Sequence, residues 1–127
     1  MHQNTHLKAD PTLCGTPLQI GKGLSKVALK TTGAMAVDDA GLVHGGFVFG
    51  LADYAAMIAV NDPNVVLGSA DVKFLKPVKS GESLTAEATV EEVAGKKHRV
   101  SVTVLRGTEN VFSGSFTCFI LDRHVLS

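Results

Sequence analysis

The sequence has no tryptophan, one tyrosine, two cysteines and no excess charge of either sign. Lys and Arg (12) balance Asp and Glu (12), so the chain lacks the basic surface typical of proteins that bind nucleic acid or an anionic membrane. Cys14 and Cys118 are too few for a disulfide framework or a four-thiolate metal site, which predicts a reduced, cytoplasmic protein. The longest apolar run, residues 47–60, contains Asp53 and is shorter than the ~20 residues that cross a bilayer.

What the sequence does contain is typical of a folded domain. Hydrophobic residues make up 45% of the 127 positions and charged residues 19%, which excludes a disordered chain. The length fits one domain. Residues 1–16 are polar and are predicted to form an N-terminal arm or a short helix, followed by a single domain over 17–127. The balanced charge gives little repulsion between copies, which favours an oligomer.

The hydrophobic periodicity predicts the secondary structure. Alternating residues within 18–31 predict a first half-buried strand, and residues 46–60 predict a helix that ends at Asn61-Asp62-Pro63. Period-two alternation then predicts four strands, with a bulge at Gly114 in the last. A strand, a long buried helix and four antiparallel strands predict an α+β domain, in which a curved sheet of about five strands wraps the helix.

The residues best suited to chemistry lie at the start and in the middle of that helix. His44-Gly45-Gly46 leads into it, and two glycines at a helix start leave unpaired N–H groups open to another molecule. Such donors suit a carbonyl oxygen that becomes negative during attack. Asp53 lies two turns further on with no cation beside it on its own helix. Burial there would raise the pKa of Asp53 and make it a stronger base. The alternative is a structural acid bonded to a backbone amide, or to Arg or Lys from a strand.

The segments GLVHGGFVFGLAD and VKFLKPVKSGE resemble the hotdog-fold acyl-CoA thioesterases, especially the phenylacetyl-CoA (PaaI-type) branch. The resemblance covers about residues 20–120. It implies a long helix wrapped by a five-stranded antiparallel sheet, and dimers with sheets joined edge to edge, often paired into tetramers. It also implies active sites at the subunit interface and no metal or redox cofactor.

The resemblance implies roles for particular residues. Gly45 supplies the N–H that polarises the thioester carbonyl, Asp53 of the opposite subunit is the general base or nucleophile, and His44 shapes the turn. Asp38 stands where relatives carry an amide, and Met57 where some carry Thr. The candidates for substrate contacts are His44, Gly46, Asp38, Ser69, Asp71 and Lys76. Further cations for coenzyme A phosphates are Lys73, Lys79, Lys96, Lys97 and Arg99.

Two other functions fit parts of the pattern. The first is a protein that binds acyl-CoA without catalysis, which would gain nothing from an unpaired buried carboxylate. The second is an enoyl-CoA hydratase or dehydratase, because Asp39 and His44 have the Asp-(x)4-His spacing. However, Gly41-Leu42-Val43 replaces the Asn-Pro of that motif. The sequence leaves the acyl group undetermined.

Overall fold

The computed structural model describes all 127 residues, Met1–Ser127. It contains two α-helices, one 3-10 turn (Gly33–Met35) and six strands. In chain order the helices and strands are α1 (Pro11–Cys14), β1 (Thr16–Gly21), β2 (Leu24–Lys30), α2 (Gly45–Val60), β3 (Val65–Phe74), β4 (Ser83–Ala94), β5 (Lys97–Arg106) and β6 (Glu109–Ile120).

All six strands form one antiparallel sheet in the order β1-β2-β4-β5-β6-β3. Helix α2 contacts every one of them, so the sheet curves around the helix. A cluster of 25 buried apolar residues fills the space between helix and sheet. The predicted α+β fold, a long helix wrapped by a curved antiparallel sheet, is confirmed.

Helix α2 is buried because almost every side chain on it is apolar. Nine of its residues, from Val48 to Ala59, are buried, and alanines on the sheet side allow close packing. The helix begins at Gly45, one residue before the predicted start, with His44 as N-cap. It ends at Asn61, which adopts a left-handed backbone conformation (φ 56°) and donates its N–H to the Met57 carbonyl oxygen at 2.8 Å.

The sheet has six strands rather than about five. The stretch predicted as one strand within residues 18–31 is a hairpin, in which β1 turns at Lys22-Gly23 and pairs with β2. Gly23 has φ +72°, a conformation that glycine adopts freely. Gly21-Lys22-Gly23 is the turn signal in the sequence, and apolar spacing alone did not separate the two strands.

The bulge predicted at Gly114 is wrong. Gly114 lies in register with Val72 and Val102, and a Cβ there would lie 2.6 Å from the Val72 side chain, so close packing requires the glycine. Register irregularities lie at other positions, among them Gly68 in β3 and Val111 in β6, which is the extra residue opposite Val104 and Leu105 of β5.

The N-terminal residues are packed on the domain. Thr5 is buried, and β1 begins at Thr16, inside the segment predicted as an arm. Strand β3 pairs only with β6, so its other edge is unpaired over ten residues. None of the helices has the length and hydropathy of a membrane span.

Candidate active site

The start of helix α2 presents free backbone donors. The first N–H groups of a helix have no carbonyl one turn earlier to bond, and no loop or turn carbonyl accepts from Gly45 or Gly46. The positive end of the helix dipole adds to their attraction for a negative oxygen. The helix start can therefore hold an oxyanion.

Two aromatic rings explain why both positions are glycine. A Cβ on Gly45 would lie 3.1 Å from the ring of Phe74, and a Cβ on Gly46 would lie 2.8 Å from Nε2 of His44. The His44 ring thus lies over Gly46, with its plane nearly perpendicular to that of Phe47. The His44 side chain makes no capping hydrogen bond. The turn-shaping role of His44 stays a prediction.

Asp53 lies on the same helix without a partner. Its Oδ1 is buried and accepts no hydrogen bond, and none of the chain's six ion pairs includes it. Because burial disfavours the charged form, the pKa of Asp53 rises from its ordinary value of 3.8 to about 6. A carboxylate with such a pKa is half ionised at pH 6 and is a stronger base than an exposed one.

Two thiols close to Asp53 stay protonated. Burial, with a smaller contribution from the Asp53 charge, raises the pKa of Cys118 to about 12. Burial and the charges of Asp10 and Asp53 also raise the pKa of Cys14. Since the thiolate is the reactive form, neither cysteine is suited to be a nucleophile.

Gly45 and Asp53 of one chain open into different cavities. Gly45 lines a cavity of about 300 Å³ with Phe74 and Lys76, whereas Asp53 lines another of about 410 Å³. The two cavities share no residue. Eight residues of helix separate the two groups by about 12 Å along the axis, so they cannot both touch one carbonyl group within a single chain.

Cations concentrate on the Gly45 side. Lys76 lines the Gly45 cavity and forms an ion pair with Glu109 at 2.7 Å. Hydrogen bonds from Lys76 and Arg106 lower the pKa of Glu109 to about 2. Arg106 and Lys79 line a neighbouring cavity of about 530 Å³.

The Asp53 cavity contains residues that the sequence analysis missed. Thr5 and His6 from the N-terminus, Asn64 after α2, and His124 near the C-terminus line it beside Asp53. Met57, at the position where some relatives carry Thr, is buried and also lines the cavity. Periodicity offers no signal for these contacts, because they come from segments outside the repeating pattern.

Other candidates lie apart from both cavities. Asp38 is exposed, and its Oδ1 accepts the Leu42 N–H at 3.2 Å within a turn. Ser69 and Asp71 are exposed on β3, and neither they nor Asp39 lines the Asp53 or the Gly45 cavity. No group of three or more His, Cys, Asp or Glu side chains is placed to hold a metal ion.

Comparison with known sequences relates the chain to several larger proteins. A segment of the methylthioribose-1-phosphate isomerase of Aquifex aeolicus is 50% identical over 123 residues, which are 96% of this chain and 27% of that protein. Transcription factor FapR of Caldanaerobacter subterraneus is 30% identical over 110 residues, 86% of this chain and 54% of the relative. The chain therefore spans between a quarter and about half of these relatives' length.

Solved structures share the whole fold. An uncharacterized protein from Pyrococcus horikoshii is 52% identical, with a TM-score of 0.99 over 100% of this chain and 98% of that one. A mutant of the phenylacetic acid degradation protein PaaI from Thermus thermophilus is 27% identical, with a TM-score of 0.80 over 88% of this chain and 100% of the other.

The model of the thioesterase superfamily matches residues 40–113, which include the helix start, Asp53 and most of the sheet. This match covers more than half of the chain and agrees with the resemblance that the His-Gly-Gly and Asp motif predicts. The chain belongs to the thioesterase superfamily and has the hotdog fold.

Proposed function

We propose that the protein hydrolyses acyl-CoA thioesters, with Asp53 of one protomer and Gly45 of another at each active site. The observation that carries the proposal is the state of Asp53: its Oδ1 is buried without a hydrogen-bond partner in the chain, and the residue lines a cavity. An unpaired buried carboxylate is costly, and perturbed acids in cavities are characteristic of functional sites. Membership of the thioesterase superfamily supports this chemistry.

In the proposed reaction the Asp53 carboxylate accepts a proton from water as the water oxygen bonds to the thioester carbon. The carbonyl oxygen becomes negative and accepts the Gly45 N–H, which stabilises it electrostatically. The carbon–sulfur bond then breaks, and the thiolate leaves and takes up a proton. In the nucleophilic alternative, Asp53 itself attacks the carbon and water hydrolyses the resulting anhydride. Neither route uses a metal or redox cofactor.

A second copy of the chain completes the proposed site. The distance along α2 prevents Gly45 and Asp53 of one chain from reaching the same thioester. The last residue of β3, Phe74, lines the Gly45 cavity. The unpaired edge of this strand offers backbone hydrogen-bonding groups to the β3 edge of a partner. We therefore infer a homodimer, which can pair further into a tetramer. Lys76 and Lys79 would face the phosphates of coenzyme A.

Release of free thiol from a panel of acyl-CoA thioesters, measured with a thiol-reactive dye, tests the proposal. Asp53→Asn keeps the size of the side chain but removes the base, so we expect turnover to fall by at least about 100-fold. The dimer and coenzyme A binding should persist. Asp39→Asn, at an exposed carboxylate near the same helix start, is the control and should retain full turnover. Normal hydrolysis by Asp53→Asn would overturn the assignment.

A second candidate is an acyl-CoA-binding domain without catalysis. The 30% identity to FapR over 110 residues favours it, because that relative is named a transcription factor and not an enzyme. Calorimetry separates the two functions when it is combined with the thiol assay. Tight binding of acyl-CoA without any thiol release would support the binding domain, whereas turnover that depends on Asp53 supports the enzyme.

A further inference from the structure

The N-terminal segment is fastened to the end of helix α2 by three hydrogen bonds. The Gln3 side chain donates to the Tyr54 hydroxyl at 3.0 Å, and the Asn4 N–H donates to Asn61 Oδ1 at 2.8 Å. In the other direction, Asn61 Nδ2 donates to the His2 carbonyl oxygen at 2.7 Å. The segment therefore has one defined position on the helix that carries Asp53.

This fastening holds Thr5 and His6 at the Asp53 cavity. Thr5 is 4% exposed, and its Oγ1 lies 2.8 Å from His6 Nδ1. His6 has φ +54°, a left-handed conformation that few residues other than glycine adopt. The ring centroids of His6 and Tyr54 are 6.2 Å apart. Packing and hydrogen bonds on both sides thus maintain an unfavourable backbone conformation.

The two cavities differ in the charge and polarity of their lining residues, and so suit different ends of the proposed substrate. The Asp53 cavity has an apolar wall of Met57, Val65 and Leu67, and no Lys or Arg lines it. Partial burial lowers the pKa of His6, which disfavours a positive charge on its ring. The Gly45 side carries Lys76, Lys79 and Arg106 against Glu82 and Glu109, and this excess of positive charge suits phosphates. Charge complementarity thus directs the nucleotide to the Gly45 side and the acyl group to the Asp53 cavity.

We propose that Thr5 and His6 form the end wall of the acyl site and limit the length of the acyl group that the enzyme accepts. This inference rests on the proposed function. The cavity of about 410 Å³ has room for several methylene groups beside Asp53. Short- and medium-chain acyl groups fit this space, and longer chains meet the wall. The preferred substrates are therefore short- to medium-chain acyl thioesters.

His6→Gly tests the wall without disturbing the backbone, because glycine adopts φ +54° freely. We expect the ratio of kcat/KM for tetradecanoyl-CoA to that for octanoyl-CoA to rise about tenfold, as expected for burial of two further methylene groups at ~0.8 kcal/mol each. His6→Asn, which also tolerates this conformation, should give a smaller rise. His2→Gly is the control, because His2 lies on the same segment but outside the cavity; its ratio should match that of the wild type.

The outcomes distinguish the two proposals. If the wild-type protein hydrolyses thioesters but His6→Gly keeps the wild-type chain-length profile, or loses activity equally on both substrates, the wall is refuted while the enzyme stands. If the wild type already prefers tetradecanoyl-CoA, the wall is also refuted. If no thioester is hydrolysed by any variant, the proposed function fails.

Discussion

Replacing Asp53 by asparagine should stabilise the protein while it removes the proposed activity. The folded state binds the Asp53 proton more tightly than the unfolded chain does, because burial raises the pKa from 3.8 to about 6. Below pH 3.8 the carboxyl is neutral in both states, so burying it does not lower the free energy of unfolding through its charge. As the pH rises from 3.8 to 6 the wild type loses stability, and above pH 6 the full penalty is present.

The size of this penalty follows from the pKa. At 1.36 kcal/mol per pKa unit, the rise to about 6 corresponds to about 3 kcal/mol as an upper bound, since the side chain is partly accessible. Asparagine has the same shape and no charge, so Asp53→Asn should gain at most about 1 kcal/mol over the wild type at pH 4.5, where most of the folded-state carboxyl is still protonated. At pH 8 it should be more stable by as much as about 3 kcal/mol.

Urea unfolding of both proteins at pH 4.5 and pH 8, at one fixed protomer concentration, measures the difference. Asp39→Asn, which removes an exposed carboxylate, should show no such pH-dependent gain. An equal effect at both pH values, or a loss of stability at pH 8, would show that the Asp53 carboxylate has a stabilising partner. Asp53 would then be a structural acid and not the proposed base.

Two further predictions concern the proposed reaction. The kcat/KM of the wild type should fall about tenfold per pH unit below pH 6, because protonated Asp53 cannot accept a proton; a profile flat down to pH 4.5 would exclude Asp53 as the base. Gly45→Ala adds a Cβ 3.1 Å from the Phe74 ring, beside the N–H proposed to hold the oxyanion, so thioester kcat/KM should fall on the order of 100-fold. Gly50→Ala is the control for Gly45→Ala, because it makes the same substitution on helix α2 at a position where the added Cβ meets no atom within 4 Å. It should keep full activity.

Local sequence patterns determined most of the fold. The alternation in β4, β5 and β6 predicted the strands because one face of the sheet packs on the helix and the other faces water. The apolar run broken by Asp53 predicted a buried helix with a single acid. The hairpin of β1 and β2 escaped prediction, since the turn at Gly23 depends on a backbone conformation that apolar spacing does not reveal.

The sequence by itself determined that two glycines begin an apolar helix with a single acid, because those features depend on neighbours along the chain. Tertiary structure decided what surrounds them. The absence of any partner for Asp53, the separation of the two cavities and the position of His6 beside Asp53 depend on contacts between segments far apart in the chain. Periodicity describes which face of an element is buried; only the packing of the elements decides which side chains share a cavity.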